Sequence, residues 1–146
     1  MHIPEQFETY KKPTLLAVTD SEHAKLYLLN NRNMTFLEEV SIDYPQKDNM
    51  GVRETDTMTP AGILSAHTEE KLDLEKERRF SHALSQVLMH ELQKGTYEEL
   101  ILAIPHEHVN EFIESLHNDV KSRLVKTVPK LLTKQPEEEL IEHIQN

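Results

Sequence analysis

The order of the apolar segments is the feature that most constrains the fold of this chain. Three short segments rich in strand-forming residues come first, at 14–19, 24–29 and 35–42, and only short polar turns separate them. Strands joined by such turns pair antiparallel as a meander. The second half of the chain alternates helical periodicity with apolar runs, which is typical of crossover units in α/β proteins.

The second half predicts three helices and two strands. A helical stripe of apolar residues runs through 75–94, and the wholly apolar run 100–104 follows, as expected of a strand covered on both faces. A second helical stripe occupies 109–120, a short strand follows at 124–128, and an acidic first turn opens a helix at 137–144. The predicted order is β-β-β-α-β-α-β-α, an α/β fold with a mixed five-stranded sheet.

One long segment interrupts this pattern. Residues 43–74 contain two of the three glycines and show no clear hydrophobic period, so they predict a long loop. Residues 1–13 are polar and end at Pro13, which predicts an amino-terminal arm. We therefore expect an arm at 1–13 and a single domain at 14–146, a length that suits one hydrophobic core.

Charge and cysteine content narrow the possible functions. The sequence has 16 basic and 26 acidic residues, a net charge of −10, which repels phosphate backbones on average and disfavours a general nucleic-acid binder. Because cysteine is absent, disulfides and thiolate metal sites are excluded. Residues 1–15 show no signal-peptide pattern and every apolar run is too short to span a bilayer, so we expect a cytoplasmic protein with no membrane partner.

Four segments carry a resemblance to a known family: LLAVTDSEHAKLYLL, RRFSHALSQVL, YEELILAIP and RLVKTVPKLLTKQPEEELIEHI. Together they resemble the bacterial proteins required for attachment to host cells. That family is similar to the middle domain of archaeal and eukaryotic peptide-release factors, which implies a ribonuclease H-like fold of the ribosomal-protein type. Release factors carry a Gly-Gly-Gln tip before their first long helix, and the corresponding segment here, 43–74, has no Gly-Gly-Gln. The resemblance therefore does not extend to hydrolysis of peptidyl-tRNA by that mechanism.

One stretch is basic against the acidic background. Residues 121–135 contain no acid and carry five cations, which we call the basic strip: Lys121, Arg123, Lys126, Lys130 and Lys134. A one-sided strip of this kind can contact RNA or an acidic partner. The same residues also suit a helix terminus followed by a solvated strand edge, where lysine discourages pairing between sheets. Both interpretations stay open at this point.

Candidate catalytic groups are few. A two-metal site of ribonuclease H type needs three or four convergent carboxylates, and the sequence offers Asp20 after the first strand and Glu38 on the third. His106 and His108 follow the fourth strand, but imidazoles two positions apart at a helix start diverge. The sequence has no Gly-x-Ser-x-Gly elbow and no phosphate-binding glycine loop. We predict no catalytic residue, cofactor or metal, and a metal site would have to be built from Asp20, His106 and His108.

These observations predict a non-catalytic binding module that associates with ribosomes or another RNA–protein assembly. A metal-dependent hydrolase or nuclease is the first alternative, and a factor that affects attachment to host cells is the second. The ligand, the oligomeric state and the role of the predicted loop stay open, and a homo-oligomer is compatible with the sequence.

Overall fold

The computed structural model describes residues 1–42 and 60–146, with side chains described in 1–42 and 74–146. Its elements, in chain order, are β1 Tyr10–Thr19, β2 His23–Asn31, β3 Asn33–Ser41, α1 Pro60–Gln93, β4 Glu99–Ala103, a 3₁₀ turn His106–His108, α2 Val109–Ser115, α3 Asn118–Lys121, β5 Leu124–Val128 and α4 Glu137–Gln145.

The five strands form one mixed sheet in the order β3-β2-β1-β4-β5. The three amino-terminal strands pair antiparallel, whereas β4 pairs parallel with β1 and β5 pairs parallel with β4. The predicted α/β class, the mixed five-stranded sheet and the amino-terminal meander are confirmed. The apolar run of β4 lies inside the sheet and is buried, as its composition predicts.

Side-chain alternation along the strands divides the core into two clusters. On one face of the sheet, Leu84 and Leu88 of α1 pack with Leu15 and Leu102. On the other face, α4 and the amino-terminal segment complete a second cluster, which includes Ile3, Leu16, Ile101, Leu140 and Ile141. Each fully buried leucine contributes about 2 kcal/mol relative to exposure. No helix within the described ranges is long and apolar enough to cross a bilayer.

The predicted loop at 43–74 is wrong over its second part, because α1 already begins at Pro60. Proline suits the first turn of a helix, where its missing N–H is not needed. The following segment, 61–74, lacks a regular apolar stripe, but half of it is alanine, leucine and glutamate, which favour helix without periodicity. With 34 residues, α1 is about 51 Å long. Residues 43–59 of the predicted loop lie outside the described residues.

The single helix predicted at 109–120 is two short helices, α2 and α3. Leu116 and His117 between them are extended, with ψ angles of 147° and 145°. His117 Nδ1 accepts a hydrogen bond from the backbone N–H of Asp119 at 3.0 Å and caps α3. Leu116 remains buried, so the apolar stripe continues through a break that periodicity alone does not reveal.

A register shift in the meander separates side chains that the sequence places on one face. We expect Phe36, Val40 and Ile42 to share a face of β3, but the pairing of β2 and β3 shifts between Leu26 and Tyr27. Phe36 therefore lies opposite Tyr27, with ring centroids 5.6 Å apart, and remains 47% exposed. Val40 packs in the cluster on the other face, because such a shift reverses the alternation of side chains.

The amino-terminal arm is shorter than predicted, because β1 begins at Tyr10. The arm is also attached to the sheet. The backbone N–H of Ile3 donates to the carbonyl of Arg32 at 2.8 Å, and the Arg32 guanidinium donates to the carbonyls of Pro4 and Phe7 at 2.9 Å each. The side chain of Ile3 is fully buried. That 14–146 forms one domain stays a prediction.

Candidate functional site

The basic strip lies along β5, which is an edge strand of the sheet. Two of its cations precede the strand, one lies within it and two follow it: Lys121, Arg123, Lys126, Lys130 and Lys134. The last four are exposed and Lys121 is half-buried. Within the described ranges, no carboxylate forms an ion pair with any strip cation. Because β5 spans about 16 Å, the strip has two ends and is not one compact cluster.

Lys126 holds the carboxyl end of α4. Its Nζ donates a hydrogen bond to the carbonyl oxygen of Ile144. A register shift between β4 and β5 places Lys126 opposite Ile101, whose side chain lies in the cluster under α4. A cation at the carboxyl end of a helix is stabilising, so one member of the basic strip has a structural role.

An open groove lies beside Lys126, at the amino-terminal ends of the parallel strands. Its volume is about 480 Å³, and its charged lining consists of Glu8, Lys11, Lys12, Glu99 and Lys126. Sequence reasoning missed Lys11 and Lys12, because they belong to a stretch interpreted as a polar arm. The adjacent lysines before Pro13 were a visible signal, but only the order β1-β4-β5 brings them near β5.

The groove is weakly positive in a strongly acidic protein. Three lysines against two glutamates leave 3 − 2 = +1, whereas the whole chain carries −10. The Nζ of Lys12 lies 4.0 Å from Oε2 of Glu99, and the two side chains are 62% and 36% exposed. An exposed pair at this distance contributes little and leaves the ammonium group accessible. Lys11 has no ion-pair partner in the part of the chain that the structure describes.

One glutamine fixes the wall of the groove at the end of α4. Gln145 Nε2 donates to the Glu8 carbonyl at 3.0 Å and to the Tyr10 hydroxyl at 3.1 Å, and its Oε1 accepts from the Glu8 backbone N–H at 2.8 Å. Burial raises the pKa of Tyr10 above its ordinary value, although the Gln145 hydrogen bond opposes the shift. Tyr10 is therefore neutral at physiological pH and presents no charge to a ligand.

Polar groups between α1 and β4, at the same end of the sheet, are engaged with each other. Glu91 Oε1 accepts from the Thr96 hydroxyl at 2.7 Å, and Lys94 Nζ lies 3.4 Å from Glu91 Oε2. The Tyr97 hydroxyl donates to the Leu88 carbonyl at 2.8 Å, and burial raises the pKa of Tyr97 to about 12. These groups hold the end of α1 against the strand and are not free to bind a ligand.

Asp20 is engaged in hydrogen bonds that shape its own turn. Its Oδ1 accepts from the backbone N–H groups of Glu22 and His23 at 2.7 Å each, which closes the connection between β1 and β2. Its Oδ2 accepts from the Thr133 hydroxyl at 3.3 Å. Glu38 lies on β3, two strands away from β1, so the sheet does not bring the two carboxylates together.

The histidines after β4 lie at the two ends of one short turn. His106 and His108 begin and end the 3₁₀ turn, and His108 Nδ1 lies 3.6 Å from Glu77 Oε1 of α1. The adjoining cavity, which Asp20 also lines, has a volume of about 30 Å³, roughly that of one water molecule. Among the described residues, no group of three or more His, Asp or Glu could hold a metal ion.

Comparison with solved structures identifies the class of fold. The chain is similar to an archaeal translation termination factor, aRF1, with 17% identity and a TM-score of 0.52, over 80% of this chain and 30% of that one. It also matches a structure described as an archaeal protein, with 16% identity and a TM-score of 0.49, over 91% of this chain and 36% of that one. The chain thus spans about a third of either structure. The expected similarity to release factors is confirmed at the level of the fold.

The family follows from the sequence itself. A family model described as "Protein required for attachment to host cells" matches residues 15–144. Because this range is most of the chain, the protein belongs to that family, as the resemblance in the sequence predicts. No curated protein matches the chain significantly.

Proposed function

We propose that this protein is a non-catalytic binding module that contacts RNA in a ribosome or another RNA–protein assembly through the basic strip. The observation that carries the proposal is the row of cations before, within and after edge strand β5, four of them exposed, which have no ion-pair partner within the described ranges. The fold shared with part of a translation termination factor is why we propose an RNA–protein assembly and not free nucleic acid.

Binding through such a strip depends on counterion release. Each phosphate contact to a single strand contributes about 0.7 to the slope of log affinity against log salt, so binding weakens steeply as salt rises. The remainder of the molecule is acidic on balance and repels phosphate, which favours RNA contact on the side of the sheet that carries the basic strip. The cations before and after β5 require the ligand to lie along this edge.

Co-sedimentation with ribosomes from a lysate, at low and high salt, tests the proposal. Lys130→Glu with Lys134→Glu reverses the charge at the carboxyl end of the strip and changes the net charge of the chain from −10 to −14. Lys25→Glu with Arg78→Glu makes the same change in net charge elsewhere and is the matched control, because the ion pair of Arg78 with Glu75 is exposed and contributes little to stability. We expect the wild type and the control to sediment with ribosomes at low salt and the strip variant to remain in the supernatant. Salt-insensitive binding that both variants retain would contradict the proposal.

The family description supports a second candidate function, an effect on attachment to host cells. Deletion of the gene in the source bacterium should then reduce attachment, and the wild-type chain should restore it. The strip variant tests whether the two candidate functions are linked. If it does not restore attachment in the deletion strain, attachment depends on the basic strip. Full restoration by the strip variant would separate attachment from the basic strip.

A further inference from the structure

We infer that the groove between β1 and β5 holds a segment of single-stranded RNA, with phosphates between Lys11 and Lys12 on one wall and Lys126 on the other. The inference rests on the proposed function and adds the RNA class and a second contact surface. β1 and β5 flank β4, so two sheet spacings, about 10 Å, separate the walls. An anion above β4 lies between the lysines of β1 and Lys126, whose ammonium group has two further N–H donors besides the one bound to the Ile144 carbonyl.

The position of the groove on the sheet face favours RNA over an extended peptide. Peptides that add to a sheet use the free N–H and C=O groups of an edge strand. The strands under the groove pair with each other, for example Thr14 with Glu99 and Leu100 with Leu124, so a ligand there is bound by side chains. Ammonium and hydroxyl groups, as on Lys11 and Tyr10, are typical phosphate contacts.

The width of the groove favours a single strand over a duplex. A gap of about 10 Å admits one RNA strand, whereas an A-form duplex is too wide to enter and can contact only the rim of the groove. Recognition of single strands commonly combines a positive groove with an aromatic side chain. Tyr10 lines the groove and is only half-buried, and Gln145 holds its hydroxyl in place.

Two carboxylates in the groove compete with phosphate for its lysines. Glu99 lies 4.0 Å from Lys12, and Glu8 adds a second carboxylate to the lining. Both repel phosphate, and Glu99 partly neutralises the ammonium group that should bind it. Glu99→Gln removes this repulsion with little change in shape, so RNA affinity should rise several-fold in this variant. If these lysines only stabilise the fold, Glu99→Gln should not raise RNA affinity.

Fluorescence anisotropy with a short labelled oligouridylate tests the inference on the full chain. Lys11→Glu with Lys12→Glu should weaken binding about tenfold and reduce the salt slope by about 1.4, the contribution of two single-strand phosphate contacts. The control, Lys25→Glu with Arg78→Glu, has the same net charge and should lose much less affinity. Should the reversed pair fold poorly, as judged by circular dichroism, Lys11→Gln with Lys12→Gln provides the milder test.

Several outcomes would overturn the inference. The groove variant and its control could lose the same amount of affinity, or Glu99→Gln could bind oligouridylate more weakly than the wild type. The protein could also bind duplex RNA more tightly than oligouridylate, or bind polyglutamate with the same dependence on Lys11 and Lys12. The last result would assign the groove to an acidic protein.

Ribosome co-sedimentation of the same variants separates the groove from the proposed function. If Lys130→Glu with Lys134→Glu abolishes sedimentation while the groove variant binds oligouridylate normally, the groove inference is wrong and the strip proposal stands. If the groove variant loses oligouridylate binding while no variant changes ribosome sedimentation, the groove inference stands and the ribosome proposal fails.

Discussion

The two ends of the parallel strands β1, β4 and β5 differ in how their polar groups are used. At the carboxyl ends, where open α/β sheets usually bind ligands, Asp20 and His108 are engaged by neighbours and the cavity has about 30 Å³. At the amino ends, the groove has about 480 Å³, and Lys11 has no ion-pair partner within the described ranges. The more open cavity, with a lysine that has no ion-pair partner in the described ranges, therefore lies at the end opposite to the usual one.

The largest effect should come from Asp20, at the carboxyl ends. Asp20→Ala removes a charged acceptor from two backbone N–H groups and should lower the free energy of unfolding by about 2 kcal/mol, measured in urea. Asp20→Asn keeps one acceptor oxygen and should lose less. Oligouridylate affinity should not change in either variant. If the wild type has metal-dependent phosphodiesterase activity, and Asp20→Asn abolishes it without changing stability, the functional site lies at the carboxyl ends of the strands and the comparison is wrong.

Lys126, at the amino ends, should show the next effect. Lys126→Met keeps the apolar stem but removes the ammonium group that donates to the Ile144 carbonyl, so it should lower the free energy of unfolding by about 1 kcal/mol. Lys130→Met is the matched control and should change stability by less than about 0.5 kcal/mol. Equal values for the two variants would show that the bond to α4 contributes nothing.

Glu91 tests whether the engaged polar groups at the carboxyl end of α1 stabilise the fold. The Thr96 hydroxyl lowers the pKa of Glu91, against the opposing effect of burial, and Lys94 adds to the lowering. A lowered pKa stabilises the folded state above the unfolded pKa, and that contribution is lost as pH falls through the folded pKa. Glu91→Gln should therefore reduce stability by about 1 kcal/mol near neutral pH and flatten its loss in acid. Urea unfolding across this pH range, with Glu98→Gln as the control, measures the effect, and a pH-independent difference would contradict it.

The smallest effect on stability should come from the carboxyl end of the basic strip. Lys130→Glu and Lys134→Glu alter exposed side chains without ion-pair partners in the described ranges, so each should change the free energy of unfolding by less than about 0.5 kcal/mol. Thermal unfolding of each variant provides the measurement. A large loss would mean that these lysines stabilise the fold, and their effect on ribosome binding could then be indirect.

Much of the fold could be predicted because strands and turns have local signals. The alternation in β2 and the apolar run of β4 identify strands directly, both segments are strands of the sheet, and β4 is buried as its composition predicts. The errors arise where a local signal is absent or is reversed by pairing. The first part of α1 has helical propensity without a stripe, and the shift between Leu26 and Tyr27 changes the face of Phe36.

The sequence by itself determined the β-then-α order, the family and the composition of the basic strip, because each is carried by residues close together in the chain. Only the tertiary structure decided that β5 is an edge strand, that Lys126 bonds to α4, and that Lys11 and Lys12 lie across a groove from Lys126. The physical reason is the parallel pairing of β1, β4 and β5. It joins β1 to β4, with Thr14 opposite Glu99, and β4 to β5, so that β1 and β5 come to lie on either side of β4 through backbone hydrogen bonds that do not depend on which side chains then face one another.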